Sequence, residues 1–127
     1  MEKQFIPYEQ ALELKELGFK EECAAHYLDE NDLELKWKIY RNLSINTNNC
    51  IQAPTFSQAF RWLLKHHNLY GVIIPTETMN WTFKTMTVVE GIVEVPPYKH
   101  VDSNDYGTPE EAEFACLIKL IEIVKNK

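Results

Sequence analysis

The stretch GVIIPTETMNWTFKTMTVVEGIVEV, residues 71–95, decides the fold class. Val72-Ile73-Ile74 is a short apolar run stopped by Pro75, which cannot donate to a sheet ladder and so marks an edge or an end. Trp81 to Val89 is rich in β-branched and aromatic residues, which suit a pleated, half-buried surface. Gly91 makes a turn, Ile92 to Val95 reads as one more short strand, and Pro96-Pro97 ends it. The connection from Ile74 to Trp81 is too short for a crossover, so these strands pair antiparallel.

Helices flank this core. Pro7 suits a first helical position, and Tyr8, Ala11, Leu12, Leu14 and Leu17 give an apolar face opposite Glu9, Glu13 and Glu16. Gly18 stops that helix by entering the left-handed region, and Phe19 folds back on its last turn. Residues 20–32 are ambiguous, with a short helical turn over Glu21 to Leu28 as one reading. Leu33, Leu35, Trp37 and Ile39 alternate with Glu34, Lys36, Lys38 and Tyr40, a strand with one buried face. Asn42 to Asn49 reads as a loop.

Pro54 opens the second helix and Asn68 ends it. Phe56, Ala59, Phe60, Leu63, Leu64 and His67 share an arc at about 100° per residue, with Gln58, Arg61 and Lys65 opposite and Trp62 and His66 on the flank. Residues 98–107 read as a flexible loop. Thr108-Pro109-Glu110-Glu111 is a capping box that starts the last helix, which runs to about Val124. Ala112, Phe114, Cys116, Leu117, Ile118, Leu120, Ile121 and Val124 cover more than half of its circumference, so it needs cover on two sides, from its own chain or from a partner. The expectation is one α+β domain over residues 1–127, ordered α-β-α-β-β-(β)-α, with three to four mostly antiparallel strands in one small sheet and three helices.

Composition narrows the function classes. A chain of 127 residues, 45% hydrophobic and 25% charged, can bury a core without disulfides. A net charge of −6 opposes phosphate backbones and anionic membranes. No window approaches the ~20 apolar residues of a membrane span, and Met1-Glu2-Lys3-Gln4 lacks a secretory signal. Cys23, Cys50 and Cys116 are odd in number and widely spaced, as in reduced cytoplasmic proteins. The expectation is a cytoplasmic protein.

No motif carries chemistry. Cys23 and His26 would share a helical face but lack a second ligand pair, so no metal is expected. His66 and His67 diverge by about 100° and cannot chelate together. His100 stands in a loop. Glu9, Glu13 and Glu16, and Glu110, Glu111 and Glu113, read as solvated helix faces, whereas acid–base work needs a buried or coupled acid. No phosphate loop, nucleophile elbow or zinc helix motif occurs. No catalytic residue and no cofactor are expected.

The remaining candidate is aromatic. Trp37, Trp62 and Trp81 come from three elements. Trp37 and Trp81 fall on apolar strand phases and read as core. Trp62, beside Arg61, Lys65 and His66, is the candidate contact residue, either as a protein-interface anchor or as a stacking platform for a flat anionic ligand such as a nucleotide signal.

Three blocks also resemble a known family: Ile6-Pro7-Tyr8-Glu9-Gln10-Ala11-Leu12-Glu13-Leu14-Lys15-Glu16-Leu17-Gly18-Phe19; Ala53-Pro54 with Gln58-Ala59-Phe60-Arg61-Trp62; and Thr108 to Glu113 with Ala115-Cys116-Leu117 and Lys119 to Asn126. They resemble a family of small proteins of Bacteroides-type bacteria and their phages, for which no activity is established. The resemblance assigns no site residue. It implies a phage or mobile-element setting and an accessory role. The resulting expectation is a non-enzymatic protein that binds a partner, either a host protein, including a defence component, or a second copy of itself. A small-molecule binder that sequesters a nucleotide signal is the alternative.

Overall fold

A computed structural model describes residues 4–29, 32–35, 51–89, 92–93, 100–101 and 105–126. The chain is an α+β protein. Its backbone divides into two compact units, residues 1–59 and 60–127.

The first unit begins with helix α1, Tyr8–Glu16. Leu17 ends it, and Gly18 follows at φ 105°, where a side chain would be strained. The N–H of Phe19 then donates to Leu14 O at 2.9 Å, and the ring is buried, so the chain does fold back on the last turn. Strand β1, Ala25–Asp29, lies between β2, Asp32–Leu35, and β3, Ile51–Ala53, all antiparallel. Helix α1 packs on β3. Two bonds tie the N-terminal segment down: Ile6 N–H to Pro54 O at 3.0 Å, and the Tyr27 hydroxyl to Ile6 O at 2.7 Å. Ile6, Ala11, Leu14, Phe19, Ala25, Tyr27 and Ala53 form this core.

Helix α2, Phe56–His67, contains the division, which falls after Ala59. In the second unit, β4, Leu69–Pro75, pairs along its whole length with β5, Trp81–Val89. Strands β6, Ile92–Val93, and β7, His100–Val101, also pair with β5, antiparallel. Helix α3, Pro109–Lys125, packs across β4 and β5. Leu69, Phe83, Thr85, Ala112, Cys116, Leu117, Leu120 and Ile121 are buried there. Gly71 allows this close approach, since a Cβ on it would overlap Cys116 Sγ and lie 3.3 Å from Leu120 Cδ1.

Thr108 caps α3 by accepting from Glu111 N–H at 3.2 Å. The Glu111 carboxylate reaches back to the Gly107 N–H, at 3.3 Å, one residue before the cap. No helix among the described residues is long and apolar enough to cross a membrane.

Four expectations change. The strands form two sheets, not one, because β1, β2 and β3 make their own ladder. Residues 25–29 are a strand, not a helical turn. Burial of Ala25, His26 and Tyr27 in succession removes the alternation that reveals a strand. Part of the loop expected at 98–107 pairs with β5 as β7, and Tyr106 exchanges backbone bonds with Trp81 at 2.8 and 2.7 Å. Of the two sources of cover expected for helix α3, its own chain does not suffice, since Ile118 is exposed. Of the strand expected over Leu33 to Tyr40, only the start lies in β2. Trp37, the rest of that strand, the 42–49 loop and Cys50 lie outside the described residues.

Candidate functional site

Helix α2 carries the residues singled out by sequence. Arg61, Lys65 and His66 are exposed. Trp62 is not: only 4% of it is accessible, and its ring lies 5.4 Å from that of His66 and 5.0 Å from that of His67. The expected surface anchor is therefore an interior residue. An indole is the largest apolar group this helix can hide, and the buried arc rotates to include it. Ala59, Trp62 and Leu63 are buried, while Phe56, Phe60 and Leu64 stay half-exposed. Arg61 and Lys65 keep their solvent face, but the indole expected to stack a base beside them is buried.

The other constellations resolve as structure. Cys23 precedes β1 instead of lying on a helix. Its N–H donates to Gln52 Oε1 at 3.0 Å and its thiol to Glu21 O at 3.5 Å. His26 lies buried on β1 and not on a helix with Cys23. Among the described residues no three of His, Cys, Asp and Glu gather where they could hold a metal ion.

The acidic start of α3 departs from expectation at one residue. Glu110 and Glu111 are exposed, but Glu113 is half-buried. Burial, and then the charge of Glu110, push its carboxyl above the usual range. One turn on, burial and then Glu113 push the Cys116 thiol up to about 12. A thiol held neutral to that degree is a poor nucleophile.

A different feature stands out on the second unit. Between β4 and β5 the chain turns through Thr76-Glu77-Thr78-Met79-Asn80. Thr76 N–H donates to Asn80 O at 2.8 Å, and Asn80 N–H donates to Thr76 Oγ1 at 3.1 Å. The Thr76 and Thr78 hydroxyls share a bond at 3.0 Å, and Thr78 donates to the Asp105 carboxylate at 3.2 Å. This bracing holds Met79 at φ 64°, a left-handed conformation that an unbranched side chain adopts only at a cost. Its N–H reaches Thr76 O at 3.2 Å, and its thioether side chain projects into solvent, 90% exposed. Exposed Glu77 and Asp105 carry negative charge on the same turn and beside it.

Met79 is not aromatic and gives no anchor signature of the kind Trp62 gives. The signal was a lone methionine inside a polar hairpin turn.

No family model, curated protein or solved structure matches this chain.

Proposed function

We propose that this chain is a non-enzymatic accessory protein of a phage or mobile element of Bacteroides-type bacteria. It acts in the host cytoplasm by occupying a protein partner. One observation carries the reading: the braced tip that holds Met79 out in solvent, in a backbone conformation it would not choose alone. A folded domain gains nothing from fixing an apolar side chain in water, whereas a binding surface gains by fixing it before contact. Methionine is enriched at interfaces and adapts its shape to irregular pockets. Glu77 and Asp105 fit a partner whose apolar pocket has a basic rim.

The test is recovery of host proteins on tagged chain expressed in a Bacteroides-type host, wild type beside Met79→Asp. The wild type should retain a discrete protein that Met79→Asp loses while melting at the same temperature. Equal recovery by both would overturn the reading. Sequestration of a nucleotide signal, the alternative from sequence, loses its stacking platform with Trp62 inside.

A further inference from the structure

We infer that the outer edge of β4 is a homodimer interface, at which the strand pairs antiparallel with the β4 of a second copy. Among the described strands β4 pairs with β5 alone and ends the sheet. The hairpin shows which of its backbone groups face that edge. Thr76 bonds inward to Asn80, while Trp81 exchanges its bonds with Tyr106 on the far side, so Trp81 and its opposite residue Pro75 do not bond each other. Antiparallel ladders alternate, so Tyr70, Val72 and Ile74 bond to β5. Leu69, Gly71, Ile73 and Pro75 turn their backbone groups outward.

Sheet edges are usually guarded by charge, by a bulge or by very short length. Strand β4 runs seven residues, LYGVIIP, without one charged side chain, and its pairing with β5 keeps a single register. Its one guard is Pro75, at the last outward position.

The strand is also complementary to its own reverse, which selects a second copy over an unrelated strand. Centred on Val72, the pairing sets Gly71 against Ile73 of the other copy, two outward residues that exchange both backbone bonds. The Leu69 N–H reaches the carbonyl of Pro75, and the missing N–H of proline ends the ladder there. On the face away from α3, Val72 meets its own counterpart. Tyr70, 43% exposed, meets Ile74, an aromatic and β-branched pair of the kind that stabilises sheets. No like charges oppose each other, although the chain carries a net −6. A two-fold pairing uses both edges at once and closes, so it gives a dimer and not a fibre.

The experiment is light scattering and sedimentation of the full chain, with hydrogen exchange of the backbone amides. The wild type should approach twice its 14.9 kDa as concentration rises. The Gly71 and Ile73 amides should become protected together with the dimer. Val72→Lys and Val72→Glu should each be monomeric, and an equal mixture of the two should dimerise again. A wild type that stays monomeric at every attainable concentration would overturn the inference. So would a dimer whose Gly71 and Ile73 amides exchange freely, since a different surface would then be in contact. If either variant fails to fold, the wild-type exchange measurement alone decides. Met79→Asp leaves this edge untouched, so loss of a host partner and loss of the dimer are separate outcomes.

Discussion

Adding one methyl group at Gly71 should destabilise the second unit, and the cause should be traceable to a single sulfur atom. Gly71 has no left-handed backbone requirement, so conformation does not oppose alanine there. Space does: the new Cβ would overlap the Cys116 sulfur and press on Leu120 Cδ1 at 3.3 Å, with Phe60 Cε1 next at 3.7 Å. Cys116 and Leu120 are fully buried, so neither can swing into solvent. Overfilling a packed core costs about 1–3 kcal/mol. Replacing a strand glycine with alanine returns roughly 0.5–1 kcal/mol of that. Because both neighbours are fully buried, the overfilling cost falls in the upper part of its range, about 2–3 kcal/mol, and the net loss for Gly71→Ala is about 1–2.5 kcal/mol. For 127 residues the unfolding entropy is near 0.27 kcal/mol/K, so the midpoint should fall by about 4–9 °C. Cys116→Ala alone should cost about 1–2 kcal/mol for the vacated sulfur volume. The double variant should recover part of both losses, because the new methyl enters the space the sulfur leaves. Urea unfolding followed by tryptophan fluorescence gives the cycle, with a favourable coupling of at least about 1 kcal/mol expected. Additive losses, or a neutral Gly71→Ala, would refute the claim that these two atoms compete for one place.

Three further outcomes follow from the structure. Gly18→Ala should cost about 1–2 kcal/mol for the opposite reason: nothing lies within 4 Å of its would-be Cβ, but φ is +105°. Gly18→Asn, which tolerates left-handed backbone better, should cost less in the same melt. Glu113 has a folded-state pKa raised by desolvation and Glu110, so its contribution is fullest below the unfolded value of about 4.3 and is lost as pH rises through the folded one. Glu113→Gln should therefore raise the melting temperature at neutral pH and flatten its fall between acid and neutral; parallel curves for the two proteins would refute this. Cys116 should resist alkylation until the chain unfolds. Its raised pKa adds a loss of stability that begins as pH passes the ordinary 9.0 and continues toward about 12, and Cys116→Ala should lack that step.

The helices were legible in the sequence because their signals are local. Gly18 and the Thr108–Glu111 box each act within one turn, and the ends of α1 and α3 lie within a residue or two of expectation. The β4–β5 hairpin was legible for the same reason, with Pro75 on the end strand of its sheet. Strand β3 was not, since it is three residues long and its partner β1 is distant in sequence, and β1 was not, because its consecutive buried residues hide the alternation. The candidate site failed on rotation. Periodicity placed Trp62 on the flank of α2, but an indole outweighs its neighbours in apolar area, and the helix turned to bury it. The Met79 tip depends on Asp105, which is remote in sequence. Nothing in the order of residues says that the two meet.

The methionine at the hairpin tip also makes that tip sensitive to oxidative damage. Peroxide gives one oxygen to the thioether and leaves as water, turning a greasy knob into a polar sulfoxide. Met79 stands in solvent while Met86 is partly covered within β5, so the tip should oxidise first. That change would alter the knob without unfolding the chain, and methionine sulfoxide reductase would reverse it.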